Sequence, residues 1–204
     1  MKKINYILVF FVIISMLFLV GCTKEEQVDS IEYYYGEFDG NRYSNERFKF
    51  TIDIPNDWNI LDDVDEKMLM DSMVGDSIDE GDKKENKKLS ELEVLDLIAV
   101  TKYPIYKFVS SNPYLVCSAQ KIDTKYITSP EKYIQFYKEF TELDEIPHKF
   151  DEEIETQKLG TKEFKIIKDK MKIEDTYITE KIYVTIIDDY ILIFITGFSN
   201  EEEM

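Results

Sequence analysis

The sequence predicts an α+β protein, an antiparallel β-sheet flanked by helices, behind an amino-terminal signal peptide. Three observations carry that expectation. Residues 48–54 alternate apolar and polar side chains without a slip, which is the period of a half-buried strand. Ser129-Pro130-Glu131 opens a helix with a hydroxyl cap, a proline whose missing N–H costs nothing, and an acid in the first turn. Three apolar runs close the chain at 164–171, 176–187 and 190–198, and the short turns between them force neighbours to run antiparallel. Strands early, a helix in the middle and strands late make an α+β sandwich.

The first residues read as a targeting segment. Lys2 and Lys3 precede an apolar run over residues 7–20, interrupted only by Ser15. Those are a signal peptide's proportions, because a spanning helix needs about 20 apolar residues. Leu19-Val20-Gly21-Cys22 follows at once. It resembles the lipobox of bacterial lipoproteins at all four positions. The resemblance implies cleavage between Gly21 and Cys22, a diacylglyceryl group on Cys22, and an extracytoplasmic protein held at the cell membrane. Two acyl chains hold stably where one holds only marginally. Residues 22–41 are then expected to be a lipidated, polar tether, and 42–204 a globular domain. Within the tether, Tyr33-Tyr34-Tyr35 is expected to pack on the domain, and Asp39-Gly40-Asn41 to turn the chain, with Gly40 supplying positive φ.

In the domain, the even-numbered residues of 48–54 should face the core and the odd ones water. Pro55-Asn56-Asp57 ends that strand, and the only tryptophan, Trp58, should lie over the sheet edge. Val64, Met68, Leu69 and Met73 have helical spacing. Residues 75–88 read as an exposed charged stretch. Residues 92–100 form a strand covered on both faces, and residues 114–122 a second central strand carrying Cys117. The helix after Ser129 stripes Tyr133, Ile134, Phe136, Tyr137 and Phe140 along one side.

Tyr43-Ser44-Asn45, the run 48–54 with Pro55 and Trp58, Lys102-Tyr103-Pro104, Asn112-Pro113 and the closing meander together resemble the PsbP-like fold, over roughly residues 42–198. That resemblance implies an α/β/α sandwich and marks structural rather than catalytic positions. Members finish with a helix and a strand. Here Ser199 and Glu202 have capping-box spacing but the chain stops at Met204, so a missing last helix and strand are expected.

Composition narrows the function. The chain holds 42 acidic against 25 basic residues, a formal charge of −17, which repels phosphate backbones and argues against nucleic acid as a partner. With Cys22 lipidated, Cys117 has no disulfide partner and is expected to be an inert core thiol. The only histidine, His148, follows Pro147 in an expected loop, where a solvated ring is the plainer reading than a proton shuttle. No nucleophile elbow, histidine pair, phosphate loop or Cys-x-x-Cys is present. Residues 76–82 imitate a calcium loop, but Lys87 stands where the bidentate glutamate belongs. Met68, Met70 and Met73 read as packing rather than copper ligands. No cofactor is called for. The leading expectation is a lipid-anchored, non-catalytic module for a protein or cell-envelope ligand. The alternatives are a carboxylate-dependent hydrolase and an acidic divalent-cation-binding surface protein.

Overall fold

The computed structural model describes residues 34–62, 65, 69, 94–105, 112–142, 146–173 and 176–199. They belong to one unit, Glu32–Met204. Strands β1 (Glu37–Asp39), β2 (Arg42–Asn45) and β3 (Phe50–Asp53) form a three-stranded antiparallel sheet. The remaining strands are β4 (Asn59–Ile60), β5 (Val94–Thr101), β6 (Tyr114–Lys121), β7 (His148–Phe150), β8 (Glu155–Leu159), β9 (Lys162–Ile173), β10 (Thr176–Ile187) and β11 (Tyr190–Phe198). They build an eight-stranded sheet in the order β4-β5-β6-β11-β10-β9-β7, with β8 also paired to β9. Helix α1, Pro130–Thr141, lies between β6 and β7 in the chain.

The expected α+β sandwich with helices on both faces does not form; the described chain is predominantly β. Ile167, Ile182, Val184, Ile191 and Ile193 point to one face of the large sheet and pack against Tyr133 and Ile134 of α1. Leu69, helical like Asp65, packs beside Ala99, Tyr114 and Val116, whose strand parity places them on that same face. The opposite face carries Ile98, Val100, Cys117, Ala119, Tyr190 and Leu192, and its cover is Tyr43, Phe48 and Ile54 from the small-sheet segment. Helices cover one side and a second sheet covers the other. Alternation in residues 48–54 shows which side chains are buried, but it does not show which sheet the strand joins.

The same stretch shows why the strand is shorter than expected. Phe48 and Ile54 are buried, Phe50 and Ile52 half-buried, and the odd positions exposed, as the alternation required. Pairing starts only at Phe50, because Asn45 closes a turn first. Its buried amide accepts the Phe48 N–H at 2.9 Å and donates to the Tyr34 carbonyl at 3.0 Å. Lys49 leaves that turn at φ 54°, a left-handed conformation that is uncommon outside glycine.

Other elements follow the sequence closely. Ser129 caps α1, its hydroxyl accepting the Lys132 N–H at 3.2 Å. Two-residue turns join β1 to β2, β8 to β9 and β10 to β11, with Gly40, Gly160 and Asp188 at φ 60°, 58° and 56°. Positive φ at that position matches the twist of a tight hairpin. Asn112 clasps Tyr103, accepting its N–H at 2.9 Å and donating to its carbonyl at 2.7 Å. The two loop motifs at 102–104 and 112–113 are thus a single clamp at the end of the β5–β6 pair.

Several expectations need correction. On α1 the stripe is too wide: Tyr133 and Ile134 are buried, Tyr137 is half-buried, but Phe136 and Phe140 lie exposed at its flank. Glu37–Asp39 is strand rather than tether. Tyr34 packs at 5.9 Å from the Tyr190 ring, whereas Tyr35 is exposed. Trp58 packs beside the small-sheet core cluster. Most of the expected helix near Met68, the charged stretch 75–88 and the capping box at Ser199–Glu202 fall outside the described residues.

At the centre of the large sheet Gly197 leaves room for the ring of Tyr114, its partner across the β11–β6 pair. A Cβ at that position would overlap the ring. Gly197→Ala is therefore expected to cost about 2 kcal/mol or more through overpacking, read as a lower urea midpoint at unchanged slope.

Candidate functional site

Two features stand out from the packing, and they lie on opposite faces of the large sheet. The first is a groove of about 980 Å³ between the two sheets. Its floor is built by parity. Phe164 on β9, Tyr183 on β10, Phe194 and Thr196 on β11 and Leu115 on β6 project toward the small sheet, which answers with Phe50 and Ile52. Phe194 organises the rings, meeting Phe50 edge-on at 5.1 Å and Phe164 at 5.8 Å. The hydroxyl of Thr196 is buried without a hydrogen-bond partner among the described residues.

The groove's rim is polar. Lys49 comes from the left-handed turn before β3, and Lys162 from the start of β9 just past the Gly160-Thr161 turn. Lys162 Nζ donates to the Lys49 carbonyl at 2.8 Å. Partial burial, followed by repulsion from Lys49, lowers the Lys162 ammonium below its ordinary range. Glu46 is the only carboxylate in the lining among the described residues. A cavity of this size with an apolar floor and few polar groups matches small-molecule sites.

The second feature is a buried polar row on the helix-bearing face. Asp169 on β9 and Glu180 on β10 are direct cross-strand partners, and Glu180 is in turn paired with Gly197 and Gly197 with Tyr114. With no side chain at 197, the Tyr114 hydroxyl reaches across β11 and donates to Glu180 Oε1. Asp169 accepts the Lys149 N–H at 3.0 Å and pairs with His148 Nδ1. Asp169 is fully buried and Glu180 is 4% exposed. Burial pushes the Glu180 carboxyl up to about 7, the nearby Asp169 charge adds to this, and the Tyr114 hydrogen bond opposes it. The row therefore holds a proton near neutral pH inside the core. Both carboxyls face the interior rather than a cleft.

The sequence-derived candidates fall apart spatially. His148 is not in a loop: it starts β7, is nearly buried, and stacks on Phe150 at 5.9 Å. The proline before it had suggested a loop, yet three residues suffice to pair with β9. Cys117 is fully buried among apolar side chains, and burial pushes its thiol well up. Gly21 and Cys22, the pseudo-calcium loop at 76–82, Met68, Met70 and Met73 lie outside the described residues. Among the described residues no group of three or more His, Cys, Asp and Glu is arranged for a metal ion, and no helix is long and apolar enough to cross a membrane.

Lys49, Lys162 and Thr196 carried no recognisable signal, because the small sheet that creates the groove was not foreseen. Glu180 and Asp169 did carry one. In Ile178-x-Glu180-x-Ile182-x-Val184 and Ile167-x-Asp169-x-Met171, an acid occupies a position whose parity is otherwise inward and apolar.

No family model matches the chain, and no curated protein matches it. Among solved structures it is weakly similar to LpqN, a protein involved in cell envelope biogenesis of Mycobacterium tuberculosis. The identity is 13%, over 73% of this chain and 69% of that one, with a TM-score of 0.38. It is also weakly similar to PA94, a protein of unknown function from Pseudomonas aeruginosa. That match has 9% identity over 53% of this chain and 69% of that one, with a TM-score of 0.33.

The raised Glu180 pKa fixes the sign of a pH effect. Unfolded, the carboxyl ionises near 4.5; folded, it keeps its proton to about 7. Its contribution to stability is thus complete below 4.5 and is lost as pH rises through 7, by about 3 kcal/mol at most. Thermal melts from pH 5 to 8 should show the wild type losing more stability than Glu180→Gln, which keeps the acceptor for Tyr114 and has no proton to release. Parallel profiles for the two proteins would refute the assignment.

Proposed function

We propose that this chain is a lipoprotein, anchored through a diacylglyceryl group on Cys22 at the extracytoplasmic face of the cell membrane, whose domain is a non-catalytic binding module. The anchor is supported by the leader, Lys2-Lys3 followed by the apolar run 7–20, and by Leu19-Val20-Gly21-Cys22 directly after it. The observation that carries the binding reading is the groove between the sheets. It offers an apolar floor and a polar rim, and among the described residues its lining includes a single carboxylate, Glu46.

That lining also weighs against a carboxylate-dependent hydrolase. Such chemistry needs two carboxyl groups about 5 to 9.5 Å apart, facing the same substrate. The two acids that do sit together, Asp169 and Glu180, are buried on the other face of the sheet. Their environment serves the fold.

Replacing Cys22 by alanine tests the anchor. The wild-type chain should sediment with membranes and incorporate labelled palmitate, and Cys22→Ala should lose the label and at least most of the membrane-bound fraction. Undiminished labelling in the variant would refute lipidation at this residue.

A further inference from the structure

We propose that the groove between the sheets takes an amphipathic anion, a single long apolar chain ending in an acidic head, with the chain laid on Phe50, Phe164 and Phe194 and the head held by Lys49 and Lys162. This deepens the binding-module reading and rests on it. The apolar part follows from the floor, where Phe50, Phe194 and Phe164 meet in sequence and form one continuous aromatic surface. Such a surface suits alkyl chains, since it offers contact area without fixed hydrogen-bonding demands.

The acidic head follows from the charge arrangement. The chain as a whole carries 42 acids against 25 bases, and on the neighbouring stretch of β9 two lysines do meet carboxylates: Lys165 pairs with Glu131 and Glu163, and Lys168 with Glu155. Lys49 and Lys162 form no ion pair among the described residues, although Glu46 lines the same groove. They are instead drawn together, with Lys162 bonded to the Lys49 backbone at 2.8 Å. Both side chains line the groove, and partial burial, followed by repulsion from Lys49, lowers the Lys162 ammonium below its ordinary range. An anion between them would relieve both effects.

The backbone contributes to the same arrangement. Lys49 sits at φ 54°, and a residue with a side chain held there carries a conformational cost. That conformation belongs to the residue whose carbonyl receives Lys162.

The test labels the full lipidated chain in native membranes with a diazirine-bearing long-chain fatty acid, or with the alcohol of the same chain. Mass spectrometry then locates the label. The acid should mark peptides containing Phe50, Phe164 or Phe194 at about five times the yield of the alcohol, the discrimination that a partly exposed ion pair provides. The double variant Lys49→Gln with Lys162→Gln should bring the acid down to the alcohol's level without shifting the melting temperature by more than a degree or two. Equal labelling of the groove by acid and alcohol in the wild type would overturn the acidic head and leave the binding module standing. Labelling of neither kind in the groove would overturn the amphiphile altogether, while lipidation at Cys22 is judged by its own palmitate readout.

Discussion

A sheet that is apolar on both faces must be covered twice, and this molecule is organised by that requirement. β6, β9, β10 and β11 each send hydrophobic side chains to both sides: Ile167 and Ile182 one way, Tyr190 and Leu192 the other. One face meets α1, and the other meets the small sheet. Fully burying a side chain such as Phe48 contributes about 1.5–3 kcal/mol, so neither cover is dispensable. The small sheet, however, has only three short strands. It covers the β5–β6–β11 side with Tyr43, Phe48 and Ile54, and toward β9 it stops short. The groove is the part of the face that this cover leaves open.

The buried row on the other face shows the cost of placing acids at inward positions and how the fold offsets it. Uncompensated burial of two carboxylates would be severe. Here Asp169 is met by His148 and the Lys149 amide, while Glu180 keeps its proton near neutrality and receives the Tyr114 hydroxyl. Gly197 makes that last contact geometrically possible. A row of six residues from five strands thereby becomes one interacting unit, and its members are coupled in the sense that removing any one alters the environment of the rest.

Much of the fold was legible in the sequence, and the reasons are local. The closing meander was readable because its turns are two residues long and its strands alternate. The cap at Ser129 was readable because proline and an acid follow it. The burial of Phe48 and Ile54 was readable from period two alone. What period two does not encode is a partner. Nothing in residues 37–53 says that they pair among themselves instead of joining the main sheet, and this one ambiguity turned an expected helical layer into a β layer. It also hid the groove, which exists only between two sheets. His148 was misplaced for a smaller reason: a strand of three residues leaves no periodicity to read.

The boundaries of the large sheet have a consequence for behaviour in a crowded setting. One lateral margin is β4, two residues long; the other is divided between β7, with three residues, and β8, with five. At β7 and β8 a foreign strand docking by backbone hydrogen bonds would find short, interrupted templates, and at β8 a fully exposed surface bearing Glu155 and Lys158; β4, by contrast, pairs with only Val100 and Thr101 of the eight-residue β5. Brief, charged margins of this kind discourage one copy from zipping onto the next. On that side of the large sheet, a protein so rich in strand is thus guarded against edge-to-edge growth.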